Sequence, residues 1–181
     1  MDVLEFLRSL VSVNTVNDPV RGLKPTIELP EWIKGVLNGF GVESRIVEKN
    51  GFYSVYGSLG DGEPVVLFMA HFDTVPVSVG EWQYDPFSLS VVGDRGYGRG
   101  AIDDKSNVAA IMGMLEKLVG EQFNGTLVYA FTGDEEIGGR NGAAYVRDLL
   151  LKAGLKPKYM SDPFGWAWLK ISGSVRIILN L

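Results

Sequence analysis

Residues 69–76 read MAHFDTVP, and this stretch decides the fold. Residues 65–70, which lead into it, are all apolar, and the run ends at His71, the only histidine in 181 residues. A short all-apolar run closed by polar residues is the pattern of a strand buried on both faces. His71 and Asp73 therefore stand where that strand leaves the sheet.

Working outward, residues 125–131 form a second apolar, β-rich run, ending in Thr132-Gly133-Asp134-Glu135-Glu136. Between the two, a helix beginning near Asp104 carries Val108, Ile111, Leu115 and Leu118 on one stripe, with Asp103 or Asp104 available to cap its first amides. A further helix spans about residues 141–153, closed by Gly154, and a short strand over 158–161 ends at Asp162. Upstream, residues 3–11 place Val3, Leu4, Leu7, Leu10 and Val11 on one helical face, and a second helix starts near Pro30 and stops at Gly41. Residues 12–27 read as irregular. Strands at 43–48 and 52–56 meet across Asn50-Gly51, a pair suited to a two-residue hairpin turn, and residues 57–62 read as a loop. Strands alternating with helices predict an α/β domain with a mostly parallel central sheet flanked by helices.

Composition narrows the function. The chain is 46% hydrophobic, enough for a sizeable core, and its net charge of -5 includes no basic run. That argues against nucleic acid and anionic membrane surfaces and favours small-molecule chemistry. With no cysteine, thiolate metal sites and a cysteine nucleophile are excluded. No cationic leader precedes an apolar segment and no run approaches a membrane span, so the expected location is cytoplasmic. Gly96, Gly98 and Gly100 form GxGxG, which misses the GxGxxG nucleotide fingerprint; close backbone approach around a buried site explains them better.

In α/β sheets, sites form outside the carboxyl ends of the strands. His71, Asp103, Glu135, Glu136 and Asp162 all follow predicted strand ends or adjoining loops. Taken singly, each has an ordinary reading: a hydrogen-bonded histidine, a helix cap, solvated glutamates, a turn. Together they make an oxygen-rich site with one imidazole, and crowded carboxylates repel unless divalent cations neutralise them. Asp73, two residues after His71 on an extended segment, is placed to fix the imidazole tautomer. Of the paired glutamates, one can ligate while the other acts as general base.

The motifs HFDTVP, WQYDPFSL, GYGRGAIDDKS, FTGDEEIGG and a later SDP, in this order and spacing over about residues 1–165, resemble the catalytic domain of the M20 metallopeptidase family. That family includes acetylornithine deacetylase, succinyl-diaminopimelate desuccinylase, acetyl-lysine deacetylase, aminoacylase and the glutamate carboxypeptidases. The resemblance implies a zinc-exopeptidase-like fold and two Zn2+ ions, with Co2+ or Mn2+ as substitutes. It also implies roles: His71 and Asp162 as ligands of one metal, Asp103 as the bridge, Glu136 on the second metal, Glu135 as general base and Asp73 behind His71. The Asp103–Asp104 peptide is expected to be cis. The implied reaction is hydrolysis of an amide in a small N-acylated amino acid or short peptide.

Relatives of this kind continue into a lid or dimerisation domain and return with a second metal-binding histidine, which this chain does not contain. They are commonly homodimeric. The expectation is therefore an incomplete catalytic domain over residues 1–165, with residues 166–181 opening a truncated lid or forming a tail. Such a chain is either a metal-dependent deacylase or exopeptidase, inactive in isolation, or a non-catalytic fragment or pseudoenzyme that binds metal or a partner chain.

Overall fold

A computed structural model describes residues 2–161 and 176–177. Two helices open the chain, α1 (Val3–Ser12) and α2 (Glu28–Phe40), followed by strands β1 (Ser44–Lys49), β2 (Phe52–Asp61) and β3 (Val65–His71). A two-stranded excursion, β4 (Ser90–Val92) and β5 (Arg95–Tyr97), precedes helix α3 (Lys105–Leu118) and strand β6 (Gly125–Thr132). Helix α4 (Ala143–Lys152) and strands β7 (Tyr159–Ser161) and β8 (Arg176–Ile177) complete the described order.

The main sheet runs β1-β2-β6-β3-β7-β8. The β1–β2 and β2–β6 pairings are antiparallel; β6–β3, β3–β7 and β7–β8 are parallel, so the sheet is mostly parallel as predicted. At its centre every residue of β6 is buried, which is why that strand is apolar without alternation. Its side chains divide by period two. Leu127, Tyr129 and Phe131 face a core with Phe6, Leu29, Ile33, Val108 and Met112 from α1, α2 and α3. Val128 and Ala130 face Val146 and Leu150 of α4.

Two local expectations need correction, and a third holds. First, α1 buries Phe6, Leu10 and Val11, whereas Val3 and Leu4 are 40% and 39% exposed. Phe6 packs into the core shared with α2 and α3, where it meets Phe40 edge to face with ring centroids 5.8 Å apart. As expected, α2 begins near Pro30, at Glu28, with the proline in its first turn. Proline suits any position in a first turn, because none of the first four amides has an intrahelical partner. Second, residues 57–62 are not a loop: β2 continues to Asp61, paired with β6 from Ser54↔Thr132 to Asp61↔Gly125. Gly57 is there for clearance, since a Cβ would strike the Tyr129 hydroxyl. The Asn50-Gly51 turn is as predicted, both residues having positive φ. No helix among the described residues is long and apolar enough to cross a membrane.

Candidate metal centre

Strands β3 and β6 lie side by side and parallel, with His71 paired to Thr132, so the segments leaving their carboxyl ends emerge together. One carries His71 and Asp73. The other enters a short 3-10 turn, Glu135–Ile137, that presents Glu135 and Glu136. One ligand atom from each of His71, Glu135 and Glu136 lies within 4.8 Å of the other two, a grouping able to hold a metal ion. Asp103 joins from the loop before α3, its Oδ1 3.0 Å from His71 Nε2, while Glu135 Oε2 is 3.7 Å away. Asp162 and residues 166–175 lie outside the described residues. Of the segment expected to open a lid, only Arg176–Ile177 is described, paired with β7.

Asp73 is fully buried and holds this arrangement from below. Its Oδ1 accepts the backbone amide of Glu135 and its Oδ2 that of Glu136, each at 3.1 Å. His71 Nδ1 faces the same residue, 3.1 Å from its main-chain oxygen and 3.4 Å from Oδ1. One carboxylate thus positions both the imidazole and the paired glutamates.

Asp104 departs from its predicted use as a cap. It occupies the N-cap position of α3 without a side-chain cap hydrogen bond. Instead Oδ2 accepts the backbone amide of His71 at 3.0 Å, and Asn107 Nδ2 donates to Oδ1. The Asp103–Asp104 peptide is cis.

Three supporting residues escaped the sequence reading. Asn17, from the stretch read as irregular, donates from Nδ2 to Asp73 Oδ2 at 2.9 Å and runs beside Thr74. Asp134, fully buried, accepts the amides of Asn141 and Gly142 and so anchors the chain beyond the glutamates. Lys105, 1% exposed, donates to the carbonyls of Leu10 and Val13. The only sequence signals were a polar cluster after α1 and a lysine following two aspartates. Gly100 fits the close-approach reading: its φ is +82°, and a Cβ would sit 2.9 Å from Thr74 Cγ2 and 3.0 Å from Lys105 Cδ.

The electrostatics ask for a cation. Burial opposes the charged form of His71, but the Asp73 hydrogen bond and the charges of Asp73, Asp104 and Glu135 raise its pKa to about 10. Burial raises Glu136 to about 7; His71 opposes this, and the charges of Asp73, Asp103 and Glu135 add to it. Burial also lifts Asp134 above the usual carboxylate range. With Nδ1 turned to Asp73, a neutral imidazole would aim its Nε2 lone pair at Asp103 and Glu135. The carboxylates demand positive charge at that point, which an extra proton or a divalent metal supplies. A nitrogen donor among carboxylates fits zinc-type chemistry, so these residues suit a metal ion.

Fold and site together define an α/β domain with a carboxylate-rich group able to hold a cation at its strand ends. A family model described as Peptidase family M20/M25/M40 matches residues 67–172, more than half of the chain. The chain belongs to this family. Succinyl-diaminopimelate desuccinylase of Parvibaculum lavamentivorans is 41% identical over 145 residues, covering 78% of this chain and 36% of the relative. The Orientia tsutsugamushi (strain Boryong) enzyme of that name is 31% identical over 140 residues, covering 74% and 34%. Among solved structures, the M20 family metallo-carboxypeptidase Sso-CP2 from Sulfolobus solfataricus superposes with a TM-score of 0.74 at 26% identity, covering 88% of this chain and 37% of that one. Human carnosine dipeptidase 1 shares the fold, with a TM-score of 0.70 at 20% identity over 90% of this chain and 38% of its own. The chain thus spans about a third of the length of the curated relatives it matches.

Proposed function

We propose that this chain forms the metal-binding part of a cytoplasmic amide hydrolase acting on small N-acylated amino acids or short peptides. The observation that carries the reading is the convergence of His71, Glu135 and Glu136 within 4.8 Å at parallel strand ends. Membership of the M20 family and the desuccinylase relatives support it. We assign His71, Asp103, Glu136 and Asp162 as ligands and Zn2+ as the ion, within a catalytic domain over residues 1–165. When bound, a divalent cation supplies Lewis acidity, polarising a carbonyl and acidifying water.

The remaining steps fall to the protein. Asp73 holds the backbone of Glu135, so its carboxylate faces the site at a fixed height while its side chain keeps 36% exposure, open to water and substrate. Glu135 takes a proton from the attacking water as the new C–O bond forms. It returns that proton to the nitrogen as the C–N bond breaks, releasing a carboxylate and an amine. Asp73 also keeps the His71 ring in one orientation, leaving Nε2 for the cation.

The test is Glu135→Gln in the full-length protein, assayed on N-succinyl and N-acetyl amino acids with Zn2+ or Co2+ supplied. This substitution keeps the backbone bond to Asp73, so folding and metal content are expected to hold while kcat falls by roughly 10²–10⁴. Wild-type protein that binds no metal, or a variant with undiminished kcat, would overturn the proposal.

A further inference from the structure

Lys105 is a buried cation among the described residues that the proposed reaction leaves without a part. It is 1% exposed, although lysine is almost never fully buried unless its ammonium is held. Nζ donates to the carbonyls of Leu10 and Val13, both at 2.8 Å. Leu10 lies in the last turn of α1 and Val13 is its C-cap, where carbonyls lack helical partners and a cation is favoured. The stem is roofed by Gly100, where no side chain fits, and the Lys105 amide donates to the Gly100 carbonyl at 2.9 Å.

Two arms of the site meet at this lysine. Along its own backbone, Asp104 receives the His71 amide and Asp103 touches His71 Nε2. Across space, the α1 exit that it grips continues through Thr15, whose carbonyl accepts the Thr74 amide, to Asn17, which donates to Asp73. We infer that Lys105 is a positioning residue for the metal centre, locking the Asp103 arm and the Asn17–Asp73 arm into one frame by clamping the end of α1.

The inference rests on the metal-site reading above, so the experiment separates the two. Co2+ is titrated into full-length protein carrying Lys105→Met, Lys105→Arg or Leu150→Ala, following visible absorption for affinity and coordination geometry, with circular dichroism for folding. Leu150, 2% exposed, packs on α4's side of the sheet, so its truncation destabilises without touching either arm. Groups that orient metal ligands typically change affinity by about 10–100-fold. Lys105→Met is expected to lose affinity in that range with an altered Co2+ spectrum, and Leu150→Ala to keep the wild-type spectrum and affinity. Lys105→Arg, whose longer, planar head cannot reproduce the two carbonyl bonds, is expected to fall between and decides the matter should Lys105→Met not fold. A wild-type Co2+ spectrum and affinity in the folded lysine variants, or equal losses in Leu150→Ala, would overturn the inference. Wild-type protein that binds no Co2+ would instead overturn the metal-site reading.

Discussion

Replacing Asp73 by asparagine changes one atom in shape and every hydrogen bond in kind. Oδ2 accepts from Asn17 Nδ2 and the Glu136 amide, and Oδ1 from the Glu135 amide, all within 3.1 Å. An asparagine offers one acceptor oxygen and a donating NH2. Its better orientation keeps the oxygen toward Asn17 and Glu136 and sets NH2 against the Glu135 N–H, donor to donor; the flipped orientation sacrifices two bonds. The better choice strands one buried amide, about 1–3 kcal/mol, and turns two charge-assisted bonds neutral, roughly 1 kcal/mol each. Less repulsion from buried Asp134 trims the sum and lost attraction to His71 and Lys105 partly restores it, leaving about 3 kcal/mol. For a protein of this size that is roughly 6–12 °C in Tm. Because both glutamates and the imidazole lose their anchor, metal affinity should fall about 10–100-fold as well. Thermal melts in chelator with a parallel Co2+ titration check both. Asp73→Asn melting within about 2 °C of wild type with unchanged affinity would refute the anchoring role.

Two further outcomes follow from the same geometry. The raised pKa of His71 means its stabilising contribution is complete below 6.5 and fades toward about 10; that of Glu136 is complete below 4.5 and fades toward about 7. Metal-free protein should therefore lose Tm as pH rises from roughly 5 to 9, while metal affinity, which competes with those protons, increases; an apo Tm that climbs over this range contradicts the assignment. Asn17→Ala removes a bond to a buried carboxylate but also an Oδ1 that has no partner, so the cost belongs at the low end, about 1–2 kcal/mol by denaturant melts.

Much of the architecture was readable because burial leaves a pattern. The unbroken apolar runs of β3 and β6 announced central strands, and Asn50-Gly51 announced the hairpin. Those strand ends then located His71, Glu135 and Glu136. What escaped was polar residues whose burial comes from distant partners. Lys105 reads as a solvent-facing helix start, and only the α1 carbonyls, 92 and 95 residues earlier in the chain, explain its seclusion. Asn17 sits in a stretch with no periodicity at all. Glycine misled in one place: residues 57–62 resemble a loop, yet Gly57 serves strand clearance beneath Tyr129. Local sequence cannot separate a glycine required by a turn from one required by a neighbour.

The sheet order has a consequence for biosynthesis. β2 and β3 are consecutive in the chain yet never touch, because β6 is inserted between them. Residues 72–124 must leave the ribosome before that strand arrives. Throughout this interval β2 and the apolar β3 each offer an unpaired edge to any other chain nearby, the condition under which nascent proteins associate wrongly. The insertion that brings the glutamates to the histidine is also the step that pairs the facing edges of β2 and β3, so one strand both assembles the His71–Glu135–Glu136 group and removes two open edges.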